Sequence, residues 1–212
     1  MAWTASVKGS GADYVLVPPG THIALCNLVV DLGLQPAAPN SKFPKDQYQM
    51  YIGFELPNEI MEYTNKEGNL VKGPMVIGKF FTVSMHEKAN LRKALESWRG
   101  RTFTDEEAGK FDIGSIIGKG CQINVLHDKK ADGTIRANIN AILSWPKGMA
   151  VPGFTTKPLY YAPDDRTMYD ELPEWLRKKV DAQIKTGTGE LAQGEPQPIQ
   201  QKETFDEDSV PF

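Results

Sequence analysis

A change of hydrophobic period in the middle of this chain limits what it can fold into. From Gln47 to Leu56 the residues alternate. Tyr48, Met50, Ile52, Phe54 and Leu56 fall on one side, and Gln47, Gln49, Tyr51 and Glu55 on the other. That alternation marks a strand with one buried face. Met75 to Met85 reads the same way, with Met75, Ile77, Phe81, Val83 and Met85 together, and His22 to Leu34 is a strand-like run of Leu, Val and Ile. Then the period lengthens. Ser84 and Glu87 have capping-box spacing, which predicts a helix starting there. Leu91, Leu95 and Trp98 recur at helical spacing and Gly100 marks the stop. Thr104 and Glu107 repeat the capping pattern for a short second helix. Period two returns at Cys121 to His127 and at Thr134 to Trp145. In the latter, Ile135, Ala137, Ile139, Ala141 and Leu143 are expected inward, and Arg136, Asn138 and Asn140 outward.

Three strands, a helix and two strands is the order of an OB-fold, a five-stranded, partly open barrel, and other small barrels share the count. The connections fit. Pro18-Pro19-Gly20 closes an N-terminal arm, Gln35 to Asp46 is a loop carrying Pro36, Pro39 and Pro44, and residues 60–72 suggest a hairpin around Glu67-Gly68-Asn69. Asp128 to Gly133 is a polar hairpin tip. After Trp145 an irregular arm, Pro146 to Asp170, leads to Pro173 and a short helix, Glu174 to Ile184, with the basic run Arg177-Lys178-Lys179. From Thr186 to Glu203 the chain is Gly, Gln, Pro, Glu and Thr. Such a composition buries too little apolar surface to offset its ordering entropy, so a disordered linker is expected. The expected organisation is a mainly β domain over 1–148, an arm with a helix over 149–186, a linker over 187–205 and an acidic tip over 206–212.

Composition narrows the function classes. Of 212 residues, 40% are hydrophobic and 24% charged, which suits a globular protein. No apolar run approaches membrane-spanning length, and Met1-Ala2-Trp3-Thr4 lacks the pattern of a secretion signal, so no membrane partner is expected. Cys26 and Cys121 lie far apart in apolar strands and read as buried thiols, and no metal-ligand spacing occurs. The net charge of −3 divides unevenly. From Gly187 onward six acids face one base, a net of −5, which leaves residues 1–186 at +2. A basic body attracts phosphate backbones, while an acidic tail competes for the same groove or recruits a partner.

Binding unpaired nucleic acid without sequence choice needs rings on which bases stack and cations that follow the phosphates. The outward strand positions offer Tyr51, Phe80, His86 and Arg136. Lys79 interrupts an apolar face and is expected at the barrel rim. Lys42 and Lys45 lie in the loop after the first strand, and Lys129 and Lys130 at the last hairpin tip. These two loops flank the usual OB groove. Each has a plainer reading: Tyr51 and Phe80 covered by the 146–170 arm or by another subunit, Lys129 and Lys130 a solvated turn. Trp98 and Phe103 are expected in the core, and Tyr160 and Tyr161 as a staple for the arm. His22, His86 and His127 sit on separate elements with no nucleophile, and no phosphate loop, dinucleotide fingerprint or HExxH occurs, so neither catalysis nor a cofactor is expected. The enzyme alternative is a metal-dependent nuclease using Asp164 and Asp165.

The chain ends Asp206-Glu207-Asp208-Ser209-Val210-Pro211-Phe212. These residues resemble the acidic C-terminal tip of bacterial and phage single-stranded DNA-binding proteins. His86-Glu87-Lys88-Ala89-Asn90-Leu91-Arg92, with Glu96-Ser97-Trp98-Arg99-Gly100-Arg101 and Phe103-Thr104, are similar to a phage-encoded family assigned to the same role. The resemblance implies an OB-fold that coats single-stranded DNA during phage replication or recombination in the cytoplasm of the bacterial host. It also implies a tip whose Asp206, Glu207, Asp208, Val210, Pro211 and Phe212 dock on polymerase, helicase, primase or recombinase partners. Related proteins occur as monomers, dimers and tetramers, so a homo-oligomer is among the expectations. An OB-fold adaptor without nucleic acid, and a strand-annealing mediator, are the alternatives.

Overall fold

The computed structural model describes residues 15–37, 45–64, 68–130 and 132–184. Five strands form one antiparallel sheet in the order β3-β2-β1-β4-β5: β1 (Gly20–Gln35), β2 (Gln47–Thr64), β3 (Leu70–Thr82), β4 (Gly120–Lys129) and β5 (Ile135–Leu143). Between β3 and β4 lie α1 (Asn90–Arg99), α2 (Asp105–Gly109) and a 3-10 turn, Ile113–Ile116. Irregularities in the β1–β2 register, between Cys26 and Leu28 and between Asp31 and Leu34, mark where the central strand bends. The sheet curls into a half-barrel, bringing β3 near β5 without a ladder between them. At that seam the Lys79 ammonium donates to the Ile139 carbonyl at 2.8 Å.

The inner face is closed by α1, which packs against β3 and β5. Leu91, Leu95 and Trp98 join Met50, Ile52, Phe54 and Phe81 from β2 and β3, and Ile123, Val125 and Ile139 from β4 and β5. Full burial of each such side chain contributes about 1.5–3 kcal/mol. Trp98 and Phe103 are in this core, as expected. Gly100 ends α1 with φ 72, a left-handed cap that suits glycine. Arg92 is buried with its guanidinium satisfied: it donates to Glu96 and Asp105, each at 3.1 Å, and to the Met85 and Phe103 carbonyls.

A second core lies on the other face of β1. β6 (Leu159–Tyr161) pairs parallel with Leu28, Val29 and Val30, and α3 (Glu174–Asp181) packs beside it. Val30 and Leu32 meet Tyr161, Leu172, Leu176 and Val180. Apolar cover on both sides explains why β1 is a continuous apolar run rather than an alternating one. Glu55, outward on β2, is fully buried beneath the arm. It accepts from the backbone N–H groups of Thr155 at 2.8 Å and Thr156 at 2.9 Å, and from the Thr156 hydroxyl.

Several expectations are corrected. The first helix starts at Asn90, not Ser84, because residues 83–88 turn instead; Ser84 Oγ accepts from the His86 N–H and no side chain caps α1. The Thr104–Glu107 capping box does form. The hairpin expected over 60–72 does pair, Thr64 opposite Leu70 and Glu62 opposite Lys72, as the outer end of β2 and β3. The alternation in β5 flips: Ile142 is buried and Leu143 exposed, because a bulge opposite Asn124 and Val125 inserts an extra residue. The arm is not wholly irregular, since it supplies β6.

Candidate nucleic-acid interface

Tyr51 and Phe80 are cross-strand neighbours on the outer face of β2 and β3, and the next outward pair is Gly53 and Gly78. The missing side chains make a seat. A Cβ at Gly78 would stand 2.2 Å from the Tyr51 ring and hydroxyl and 2.6 Å from the Ile52 carbonyl, so the tyrosine lies directly over the strand. Its ring centroid is 5.0 Å from that of Phe80. α3 adds a third ring. Leu176 and Val180 bury on β1, so Trp175 and Lys179, one position earlier on the helix, project over β2 and β3. Trp175 stands 5.1 Å edge-on from Tyr51 and 6.2 Å from Phe80. The Lys179 ammonium is 5.5 Å from the Phe80 centroid, within cation–π range. Phe80 remains 42% exposed and Trp175 46%, so the cluster presents ring surface beside a cation.

Next to Phe80 a small cleft of about 330 Å³ is lined by Lys79, Thr82, Ser84, Lys88 and Asn90. A second, of about 280 Å³, continues past Lys79 along the β3–β5 seam to Lys93, Ser97 and Asn140. Burial lowers the Lys79 pKa, and its bond to Ile139 turns it into the seam rather than onto the open face. The region can stack flat rings and follow anions from Lys179 toward Lys88 and Lys93.

Of the residues singled out by sequence, the structure brings Tyr51 and Phe80 together. His86 is exposed but sits in the turn before α1, not on β3, which ends at Thr82. Arg136 is paired with Asp128 at 3.6 Å near the β4–β5 tip, where Lys129 and Lys130 are exposed. Lys45 is exposed just before β2. Lys42 and the tip residues Asp206 to Phe212 lie outside the described residues. Tyr161 is a buried staple as expected, while Tyr160 keeps nearly half its surface open. Asp165 accepts from the Thr167 N–H at 3.0 Å as the cap of a 3-10 turn.

Sequence reasoning missed Trp175 and Lys179. A signal was present: a tryptophan just off the Leu176-Val180 stripe of a helix, four residues before a lysine. The histidines are dispersed, with His22 bonded to Glu59 at 2.9 Å and His127 to the Val17 carbonyl at 2.8 Å. Among the described residues no three His, Cys, Asp or Glu side chains gather as a metal site, and no helix is long and apolar enough to cross a membrane. Cys26 and Cys121 are buried thiols, and burial pushes Cys26 up to about 12 and Cys121 further. Compared with protein-family models and with curated proteins, the chain finds no match.

Proposed function

We propose that this protein binds single-stranded DNA without strong sequence preference, on an OB-fold whose outer β2–β3 face carries the stacking surface. The observation that carries the reading is the cluster in which exposed Phe80 and Trp175 rings meet half-buried Tyr51, with Lys179 over the Phe80 ring. Each base stacked on such a ring contributes about 1–3 kcal/mol, so two or three rings with nearby lysines suffice for useful affinity. The strand order, the curl of the sheet and a helix between the third and fourth strands support the OB-fold assignment. In keeping with the resemblance of its tip, the protein acts in phage replication or recombination inside the bacterial host. It recruits polymerase, helicase, primase or recombinase partners through residues 206–212.

Titration with oligo-dT in dilute buffer tests the reading. Stacking on Trp175 quenches tryptophan fluorescence, and the quench is lost in Trp175→Phe although that variant still binds. An oligonucleotide that neither quenches fluorescence nor shifts mobility at micromolar protein would leave the adaptor reading in its place.

A further inference from the structure

α1 has three faces. Leu91, Leu95 and Trp98 point into the barrel. Arg92 and Glu96 pair with each other on a second side. Asn90, Lys93 and Ser97, at spacings of three and four, form the third, and all three are exposed. This third face borders the open seam between β3 and β5, where the two clefts beside Phe80 meet. Lys79, Phe81 and Asn90 line both clefts, so the two make one path. It starts at the Phe80 ring and ends at Ser97 and Asn140.

Charge along this path has one sign. Lys88 lines its first half and Lys93 its second, and both are exposed without an ion pair among the described residues. Lys79 stands where the halves join, its ammonium 2.8 Å from the Ile139 carbonyl. Among the described residues, no Asp or Glu lines either half. Other cationic surfaces of the molecule differ. At the β4–β5 tip Arg136 pairs with Asp128, and Lys129 and Lys130 share their turn with Asp132. In a groove of about 730 Å³ at the C-terminal end of α1, Arg99 and Arg101 are held by Glu107, and Lys110 by Glu106. A phosphate at either place competes with carboxylates already seated; along the seam it competes with none.

We infer that a bound strand, its bases on the Phe80 and Trp175 rings, continues over the β3–β5 seam and along the Asn90–Lys93–Ser97 face of α1, with phosphates on Lys88 and Lys93. The inference rests on the single-stranded DNA reading and gives that site its course. Lys129 and Lys130 stay uncovered, although their loop flanks the usual OB groove. α1 then serves twice, sealing the barrel with one face and guiding the strand with another.

Acetylation of exposed lysines by an N-hydroxysuccinimide ester, mapped by mass spectrometry with and without oligo-dT of about 12 nucleotides, tests this course. The bound strand should slow labelling of Lys88 and Lys93 by about fivefold or more, and Lys129 and Lys130 should label as fast as in the free protein. In a second measurement, Lys88→Ala/Lys93→Ala should flatten the slope of log affinity against log salt by about 1.4, which is roughly 25-fold in affinity at about 0.1 M salt and no difference near about 1 M. The Trp175 quench at saturation should persist in that variant, because the rings are untouched. Lys129→Ala/Lys130→Ala should change neither slope nor quench. A strand that binds while Lys88 and Lys93 stay fully labelled, protection that falls on Lys129 and Lys130 instead, or an unchanged slope in Lys88→Ala/Lys93→Ala would each overturn the course and leave the DNA reading standing. A chain that binds no oligo-dT in dilute buffer would overturn both.

Discussion

The two faces of β2 and β3 carry the same kinds of side chain and treat them oppositely. On the inner face Phe54 and Phe81 are buried, with Phe54 5.6 Å from Trp98 of α1. On the outer face Tyr51 and Phe80 meet Trp175 of α3, yet Phe80 and Trp175 keep nearly half their surface open. The difference lies in what each helix brings. α1 sets Leu91, Leu95 and Trp98 over the barrel opening and seals it. α3 spends its apolar stripe on β1 and reaches β2 and β3 with only one ring and one ammonium. Aromatic residues on a strand therefore do not by themselves distinguish packing from binding; the reach of the covering helix does.

Substitutions that separate the faces test this contrast. Phe54→Ala should have the largest effect, destabilising the fold by about 3–5 kcal/mol, because it removes a fully buried ring and leaves a cavity. Chemical denaturation measures this, and the fraction still folded should bind oligonucleotide with unchanged affinity. The inner thiols come next. Cys26 and Cys121 hold their protons in the fold at pH values where the unfolded chain releases them, so stability falls as pH rises from about 9 toward 12. The slope is up to about 1.4 kcal/mol per unit for each thiol. Lys79 works in the opposite direction below 10.5, since burial lowers its pKa, but half-exposure weakens the effect. Cys26→Ala/Cys121→Ala should flatten the alkaline decline in denaturation curves between pH 9 and 11.

On the outer face the expected effects are smaller and fall on binding. Trp175→Ala should weaken oligo-dT binding by about 1–3 kcal/mol, roughly 5- to 150-fold, with little loss of stability. A loss of stability as large as that of Phe54→Ala would make Trp175 a core residue and erase the contrast. Lys179→Met should act least, lowering the slope of log affinity against log salt by about 0.7 if one phosphate contact is lost. An unchanged slope would mean that Lys179 serves only to cover Phe80.

The inner face was legible because burial on one side imposes alternation. Met50, Ile52 and Phe54, and the helical Leu91, Leu95 and Trp98, announce their partners by spacing alone. The exchange of Ile142 for Leu143 was hidden, because a bulge depends on pairing with another strand. Ser84 and Glu87 misled because capping spacing also suits a turn. Tyr51 and Phe80 could be seen to face outward, but Trp175, more than ninety residues further along the chain from Phe80, joins them only through a parallel strand and a helix. Alternation places Glu55 on the side opposite the apolar face; the backbone N–H groups that bury it belong to Thr155 and Thr156, and no local pattern in β2 discloses them.

The most direct test sets a single-stranded oligonucleotide against its own duplex at two salt concentrations, with the intact protein. Open rings require unpaired bases, so the single strand should bind at least tenfold more tightly at both, and its affinity should fall steeply as salt rises. Equal binding of strand and duplex, or no complex with either in dilute buffer, would contradict the account.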